Sequence, residues 1–198
     1  MNICCLDLEG VLVPEIWIHV AKAYRLESLK LTTRDIPDYD KLMNYRIRIL
    51  KKEKIRLRDI QRVIQKMHPL PGAVSFLNQL RVRFPVIILS DTFYEFALPL
   101  IQKLGGPVLF CNQLKTDRLG YIRGYDLRQK DGKRKAVRAL RSIGFHVKVS
   151  GDSFNDLTML KEADEGILFK PPPAILKSHG HFPIAWNYKT LLKFFFEG

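Results

Sequence analysis

No run in this chain approaches the ~18 consecutive apolar residues of a membrane span. No basic flank precedes the apolar N-terminal stretch, which carries Asp7, Glu9 and Glu15 where a secretory signal would be apolar. These two absences lead us to expect a cytoplasmic protein without a membrane partner. Cysteine is scarce. Three residues, with Cys4 and Cys5 adjacent in an apolar run, exclude a disulfide framework and imply reduced thiols. There is no zinc-ligand spacing, no aromatic stretch of the kind that stacks on RNA bases, and no internal repeat. Acids are outnumbered: 33 Lys and Arg stand against 20 Asp and Glu, a net charge of +13.

That charge is concentrated. Nine basic residues between Arg46 and Lys66 meet only Glu53 and Asp59, and a second basic region runs from Lys115 to Arg141. Without an accompanying motif these read first as solvated faces, so nucleic acid is not the expected partner. A basic binding module remains the competing class. Its mark would be binding to nucleic acid that collapses as salt rises. A positive surface also draws in a small dianionic substrate.

What is present is ordinary for a globular chain. With 198 residues, 46% of them hydrophobic and 27% charged, it supports one domain with a good core and a small insertion. The organising stretch is Ile3-Cys4-Cys5-Leu6-Asp7-Leu8-Glu9-Gly10-Val11, an apolar run that ends in two carboxylates one residue apart. It reads as a buried strand of a parallel sheet, whose alternation would aim Asp7 and Glu9 the same way. Ligands of open α/β sheets sit just beyond such strand ends. A strand that merely runs out into solvent would look the same.

Downstream, Pro14 can open a helix with Trp17, Val20, Ala21 and Tyr24 on one face, Glu15 falling in its first turn. Thr32, Thr33 and Pro37 punctuate a loop, followed by a helix over about 38–52 with Leu42, Met43, Ile49 and Leu50 as its stripe. Arg46 lies inside that stripe. An arginine there needs an anionic partner, unless it snorkels from the stripe's edge. A third helix, about 58–67, carries Ile60, Val63, Ile64 and Met67, so residues 14–69 form a mostly helical block inserted after the first strand. A further helix with Val74, Leu77 and Leu80 precedes an apolar strand over 84–89 that ends at Ser90-Asp91-Thr92, with a helix from about Phe93. That junction is either an anion site or an ordinary helix cap.

The remaining chain gives a short strand at 108–111, a hairpin excursion over 114–127, and a helix opening at 130–135. Lys133 falls at that helix start, unfavourable to the dipole, which suggests that it answers an anion. The strand at 146–150 runs into Gly151-Asp152-Ser153-Phe154-Asn155-Asp156, with Asp152 and Asp156 one helical turn apart. A core strand at 167–169, a loop from Pro171-Pro172-Pro173, an edge strand at 184–186 and a docked helix over 191–196 complete the chain. His179 and His181 form an H-x-H pair with no further ligands placed beside it, too little for a metal site.

A parallel sheet would bring Asp7, Glu9, Ser90, Lys133, Asp152 and Asp156 into one crevice. Carboxylates with oxygen donors suit Mg²⁺, a serine hydroxyl with a lysine suits a phosphoryl group, and one carboxylate is left to attack phosphorus. These segments, in this order, resemble the four motifs of the haloacid dehalogenase superfamily. Asp7 to Trp17, Thr33 to Asp40 and Ser90 to Phe96 resemble its phosphoserine phosphatase branch, including the bifunctional phosphoserine phosphatase/homoserine phosphotransferases.

The resemblance implies an α/β, Rossmann-like parallel sheet built from residues 1–13 and 70–198, with 14–69 as a helical cap that sets specificity. It implies Asp7 as nucleophile, Glu9 as general acid/base, and Mg²⁺ held by Asp7, the Glu9 carbonyl and Asp152. Ser90, the Asp91 amide, Lys133 and Asn155 would bind phosphate, and Asp156 would orient the metal shell. Glu15 and Arg46 would grip the ammonium and carboxylate of O-phosphoserine, and homoserine would be a second acceptor. A homodimer is compatible with it. The superfamily's usual second acid is aspartate; here the longer Glu9 would let an aspartyl-phosphate survive to meet an alcohol.

Overall fold

The computed structural model describes residues 1–32, 35–36 and 38–197. Thr33, Arg34 and Pro37, part of one resemblance-bearing segment, lie outside them. Among the described residues seven strands form one sheet: β1 (Asn2–Leu6), β2 (Val86–Phe93), β3 (Val108–Thr116), β4 (Ile122–Asp126), β5 (His146–Gly151), β6 (Glu165–Phe169) and β7 (Ile184–Ala185). Their order is β4-β3-β2-β1-β5-β6-β7, and every neighbouring pair is parallel except β3 with β4, the expected hairpin. The chain leaves β1 to one side through β2 and returns on the other through β5. The switch point therefore lies at the carboxyl end of β1, the position at which doubly wound sheets bind ligands.

Alternation along β1 divides the core. Cys4 and Leu6 pack with Phe76, Leu80, Phe96 and Phe195 on one face. Ile3 and Cys5 pack with Val137, Val149, Met159 and Ile175 on the other. The first face is covered by α4 (Ala73–Arg83), α5 (Tyr94–Lys103) and α9 (Tyr188–Glu197), the second by α6 (Gly132–Ser142), α7 (Leu157–Glu162) and α8 (Pro173–His179). All three cysteines are free and buried, and burial pushes each thiol up to about 12, so the expected reduced thiols are also unreactive.

The helical block holds α1 (Ile16–Tyr24), a 3-10 turn (Glu27–Lys30), α2 (Tyr39–Lys52) and α3 (Leu57–Gln65). Asp38 caps α2 by accepting from the Lys41 N–H at 3.0 Å. The block returns where it left: the Leu70 N–H donates to the Leu12 carbonyl at 2.9 Å, so the insertion leaves the sheet undisturbed. Ile16, Trp17, Val20, Met43, Leu50, Ile60 and Ile64 belong to the same apolar cluster as Phe93 and Phe96, and Trp17 meets Phe96 edge-on at 5.4 Å. Each such fully buried side chain contributes about 1.5–3 kcal/mol, enough in sum to hold the block against α5.

Four local expectations need correction. β1 stops at Leu6, and Asp7 to Val13 form a tight loop in which Leu12 and Val13 both donate to the Leu8 carbonyl. Asp7 and Glu9 are therefore aimed by a loop and not by strand alternation. β2 continues through Phe93 with a register shift after Leu89, so Ser90 and Asp91 sit in a bulged strand and not at a helix N-terminus. Glu15 occupies the N-cap position of α1, just ahead of its first turn. Pro173 opens α8 instead of prolonging a loop, because a proline lacks only an N–H that the first helical turn leaves unpaired anyway.

Candidate active site

The crevice at the end of β1 is a pocket of about 300 Å³ lined by Asp7, Glu9, Glu15, Arg46, Ser90, Asp91, Lys133, Asp152 and Asn155 among others. Every site residue expected from the sequence except Asp156 reaches it, and Asp156 lies directly beneath. Oxygens of Asp7, Asp152 and Asp156 come within 4.8 Å of one another. Two glycines permit this crowding. Gly10 turns at φ +78°, and a Cβ there would fall 2.3 Å from the Asp152 carboxyl carbon. A Cβ on Gly151 would fall 2.4 Å from Asp156.

Lys133 balances part of this charge. Its ammonium lies 2.7 Å from Asp156 Oδ1, 2.9 Å from Asp7 Oδ1 and 3.4 Å from Asp91 Oδ2. Burial alone would lower its pKa, but Asp156, Asp7 and Asp91 carry it well above the ordinary lysine value. The anions that Lys133 answers at the start of α6 are thus carboxylates. Asp156 is spent on structure: its Oδ2 accepts from the Asp152 and Ser153 N–H groups and the Ser153 hydroxyl at 2.9–3.0 Å. Asp7 keeps more freedom. Both the Leu8 N–H at 2.7 Å and Lys133 land on Oδ1. Burial, then the charges of Asp156 and Asp152, raise its pKa well above the carboxylate range, so the cluster gains from a further cation.

The donor set fits Mg²⁺: all oxygen, with Asp7 and Asp152 offering carboxylates and Glu9 a backbone carbonyl, the hard ligands that this ion takes alongside water. Opposite them, Ser90 is buried and its oxygen accepts from the Thr92 N–H at 3.2 Å, leaving the hydroxyl proton to donate. Asn155 stands exposed at the rim.

Glu9 accepts from the Ile16 N–H at 2.8 Å. Burial and the neighbouring Glu15 charge push its carboxyl up to about 8, which keeps a proton available near neutrality. Arg46 is buried at 6% exposure, stacked 4.5 Å from the Trp17 ring and donating to the Leu31 carbonyl at 2.7 Å. Among the described residues no carboxylate forms an ion pair with it, and its Nε has no hydrogen-bond partner. Burial lowers its pKa to about 10, against the pull of Glu9, Tyr39 and Glu15. Snorkelling is excluded, and the anionic partner expected from the sequence is not supplied by these residues.

Other groups at the site had no signal in the sequence. Tyr39 and Asn112 bond the Asp91 carbonyl at 3.1 and 2.9 Å. His179 and His181 lie apart from the crevice, their rings 6.0 Å from one another, with no third ligand grouped beside them among the described residues. Part of the second basic region is neutralised: Arg138 pairs with Glu162 at 2.9 Å and Arg141 with Asp164 at 3.0 Å. No helix of the described residues is long and apolar enough to cross a membrane.

A doubly wound sheet with acids, a lysine and a bulged serine strand gathered at its switch point defines an enzyme of the Rossmann-like α/β class. The pattern of the haloacid dehalogenase-like hydrolases matches residues 1–164, and the chain belongs to that family. It is 52% identical over 197 residues to the phosphoserine phosphatase ThrH of Pseudomonas aeruginosa, covering 100% of this chain and 96% of that one. It is also 52% identical to a phosphoserine phosphatase of Pseudomonas syringae pv. tomato, covering 100% of this chain and 83% of the other. A phosphoserine phosphatase solved in its apo form shares the fold, with a TM-score of 0.77 at 22% identity over 98% of both chains.

Proposed function

We propose that the protein is a Mg²⁺-dependent phosphoserine phosphatase that works through an aspartyl-phosphate and also passes the phosphoryl group to homoserine. The observation that carries this reading is Arg46, a buried guanidinium without a carboxylate in the same pocket as Asp7. An amino-acid carboxylate would complete it, and Glu15 at the pocket edge would take the ammonium.

Asp7 Oδ1 is engaged twice, so Oδ2 is the attacking oxygen. It bonds to phosphorus as the serine oxygen departs, taking the proton that Glu9 carries. Glu9, now ionised, removes a proton from water or from the homoserine hydroxyl, whose oxygen displaces Asp7. Ser90, the Asp91 amide, Lys133 and Asn155 hold the phosphoryl oxygens. Mg²⁺, held by Asp7, Asp152 and the Glu9 carbonyl, would neutralise phosphoryl charge. Residues 14–69 act as the cap, contributing Glu15 and Arg46.

The test is phosphate release from O-phosphoserine with and without Mg²⁺, repeated with homoserine present. Release should require the metal, and O-phosphohomoserine should appear at the expense of free phosphate. No release under any condition would end the reading. The same assay on Glu9→Asp should shift the balance toward hydrolysis, because the shorter acid leaves room for water.

Arg46→Ala should raise KM for phosphoserine roughly ten- to hundredfold, the worth of one charge-assisted pair, and lower kcat less. An ester without a carboxylate should suffer much less. Equal losses on both substrates would mean that Arg46 supports the fold and does not read the amino acid.

A further inference from the structure

Three hydrogen bonds converge on one peptide unit of the bulged segment of β2 that carries Ser90. The Asp91 carbonyl accepts from Asn112 Nδ2 at 2.9 Å and from the Tyr39 hydroxyl at 3.1 Å. The N–H of the same peptide, that of Thr92, donates to Ser90 Oγ at 3.2 Å. Because the peptide is planar, fixing its carbonyl also fixes the direction of its N–H. That N–H occupies an acceptor position on Ser90, which leaves the single hydroxyl proton to donate to an anion in the pocket.

The two donors arrive from different parts of the chain. Asn112 lies on β3, buried, and its own Oδ1 accepts from the Arg128 N–H at 3.0 Å, which sets its amide with nitrogen toward Asp91. Tyr39 is the first residue of α2 and belongs to the cap. Burial holds its hydroxyl far above the ordinary tyrosine value, so it stays a donor. Its ring stands edge-on to Tyr125 at 5.8 Å, and the Tyr125 hydroxyl bonds Asp40. The cap therefore touches the core twice here. Tyr125–Asp40 is a fastening contact, while Tyr39 reaches the Asp91 carbonyl beside Ser90.

We propose that Tyr39, acting with Asn112 on the Asp91 carbonyl, is a positioning residue that sets the Thr92 N–H and, through it, the Ser90 hydroxyl for a phosphoryl group when the cap lies against the core. The cap then contributes to phosphate binding as well as to the choice of amino acid. This rests on the phosphatase reading for the identity of the anion.

The experiment titrates inorganic phosphate into the Mg²⁺-loaded enzyme by calorimetry and, separately, measures inhibition by phosphate and by L-serine. Tyr39→Phe keeps the ring against Tyr125 and removes only the hydroxyl. It should weaken phosphate binding about three- to tenfold, the worth of one hydrogen bond, and leave L-serine inhibition unchanged. Tyr125→Phe cuts the fastening contact and should change phosphate affinity less than about twofold. Unaltered phosphate affinity in Tyr39→Phe would overturn the proposal. So would an equal loss in Tyr125→Phe, which would reduce Tyr39 to general cap attachment. A wild-type enzyme inert toward phosphoserine would refute the substrate reading, and the phosphate titration would still decide the role of Tyr39.

Discussion

Asp7→Asn should lose turnover by on the order of 10⁴-fold or more while still binding phosphoserine. The two oxygens of Asp7 have different partners. Oδ1 accepts from Leu8 and Lys133, and an asparagine carbonyl keeps both bonds. The amide nitrogen then replaces Oδ2, the oxygen assigned to attack, and an amide is no nucleophile for phosphorus. Removing a negative charge from a trio within 4.8 Å should also leave the fold intact or firmer. Loss of activity with wild-type melting behaviour and near wild-type phosphoserine affinity is the expected combination. Activity within tenfold of wild type would take the nucleophile away from Asp7.

Much of this site could be seen in the sequence because it is built where apolar runs stop. Asp7 and Ser90 each follow a continuous hydrophobic stretch, Asp152 follows the mixed strand around Val147 and Val149, and a parallel sheet must bring such ends together. Arg46 announced itself as a charge inside a helical stripe, and its burial follows from that placement. The misses have a different physical origin. The loop after Leu6 is shaped by bonds back to the Leu8 carbonyl and by the left-handed Gly10, which no strand pattern reports. β2 runs past Ser90 because pairing with β3 resumes at Phe93 opposite Asn112, a tertiary fact. Tyr39 and Asn112 meet the Asp91 carbonyl across 52 and 21 residues of chain, so neither has a local signature. Periodicity reads burial well. It does not read which polar group a buried polar group will find.

Asp156 gives the second large effect, and the contrast with Asp7 gives it meaning. It is fully buried, and both of its oxygens accept: Oδ1 from Lys133, Oδ2 from two backbone N–H groups and the Ser153 hydroxyl. Asp156→Ala strands these donors and removes the shortest contact of a buried lysine. Breaking a buried pair from one side costs about 3–5 kcal/mol, near 10 °C in melting temperature for a chain of this size. Activity should fall as well, on the order of 10²-fold or more, because Lys133 and the Asp152 backbone both lose their anchor. Asp156→Asn is the sharper test. Its amide has one accepting end, and whichever way it turns, its NH₂ faces a donor, either Lys133 or the Ser153 cluster. An isosteric residue that fills the same space should therefore fail to restore either stability or rate. If asparagine does restore them, Asp156 is a packing residue, and the anchoring of Lys133 must be sought in Asp7 and Asp91.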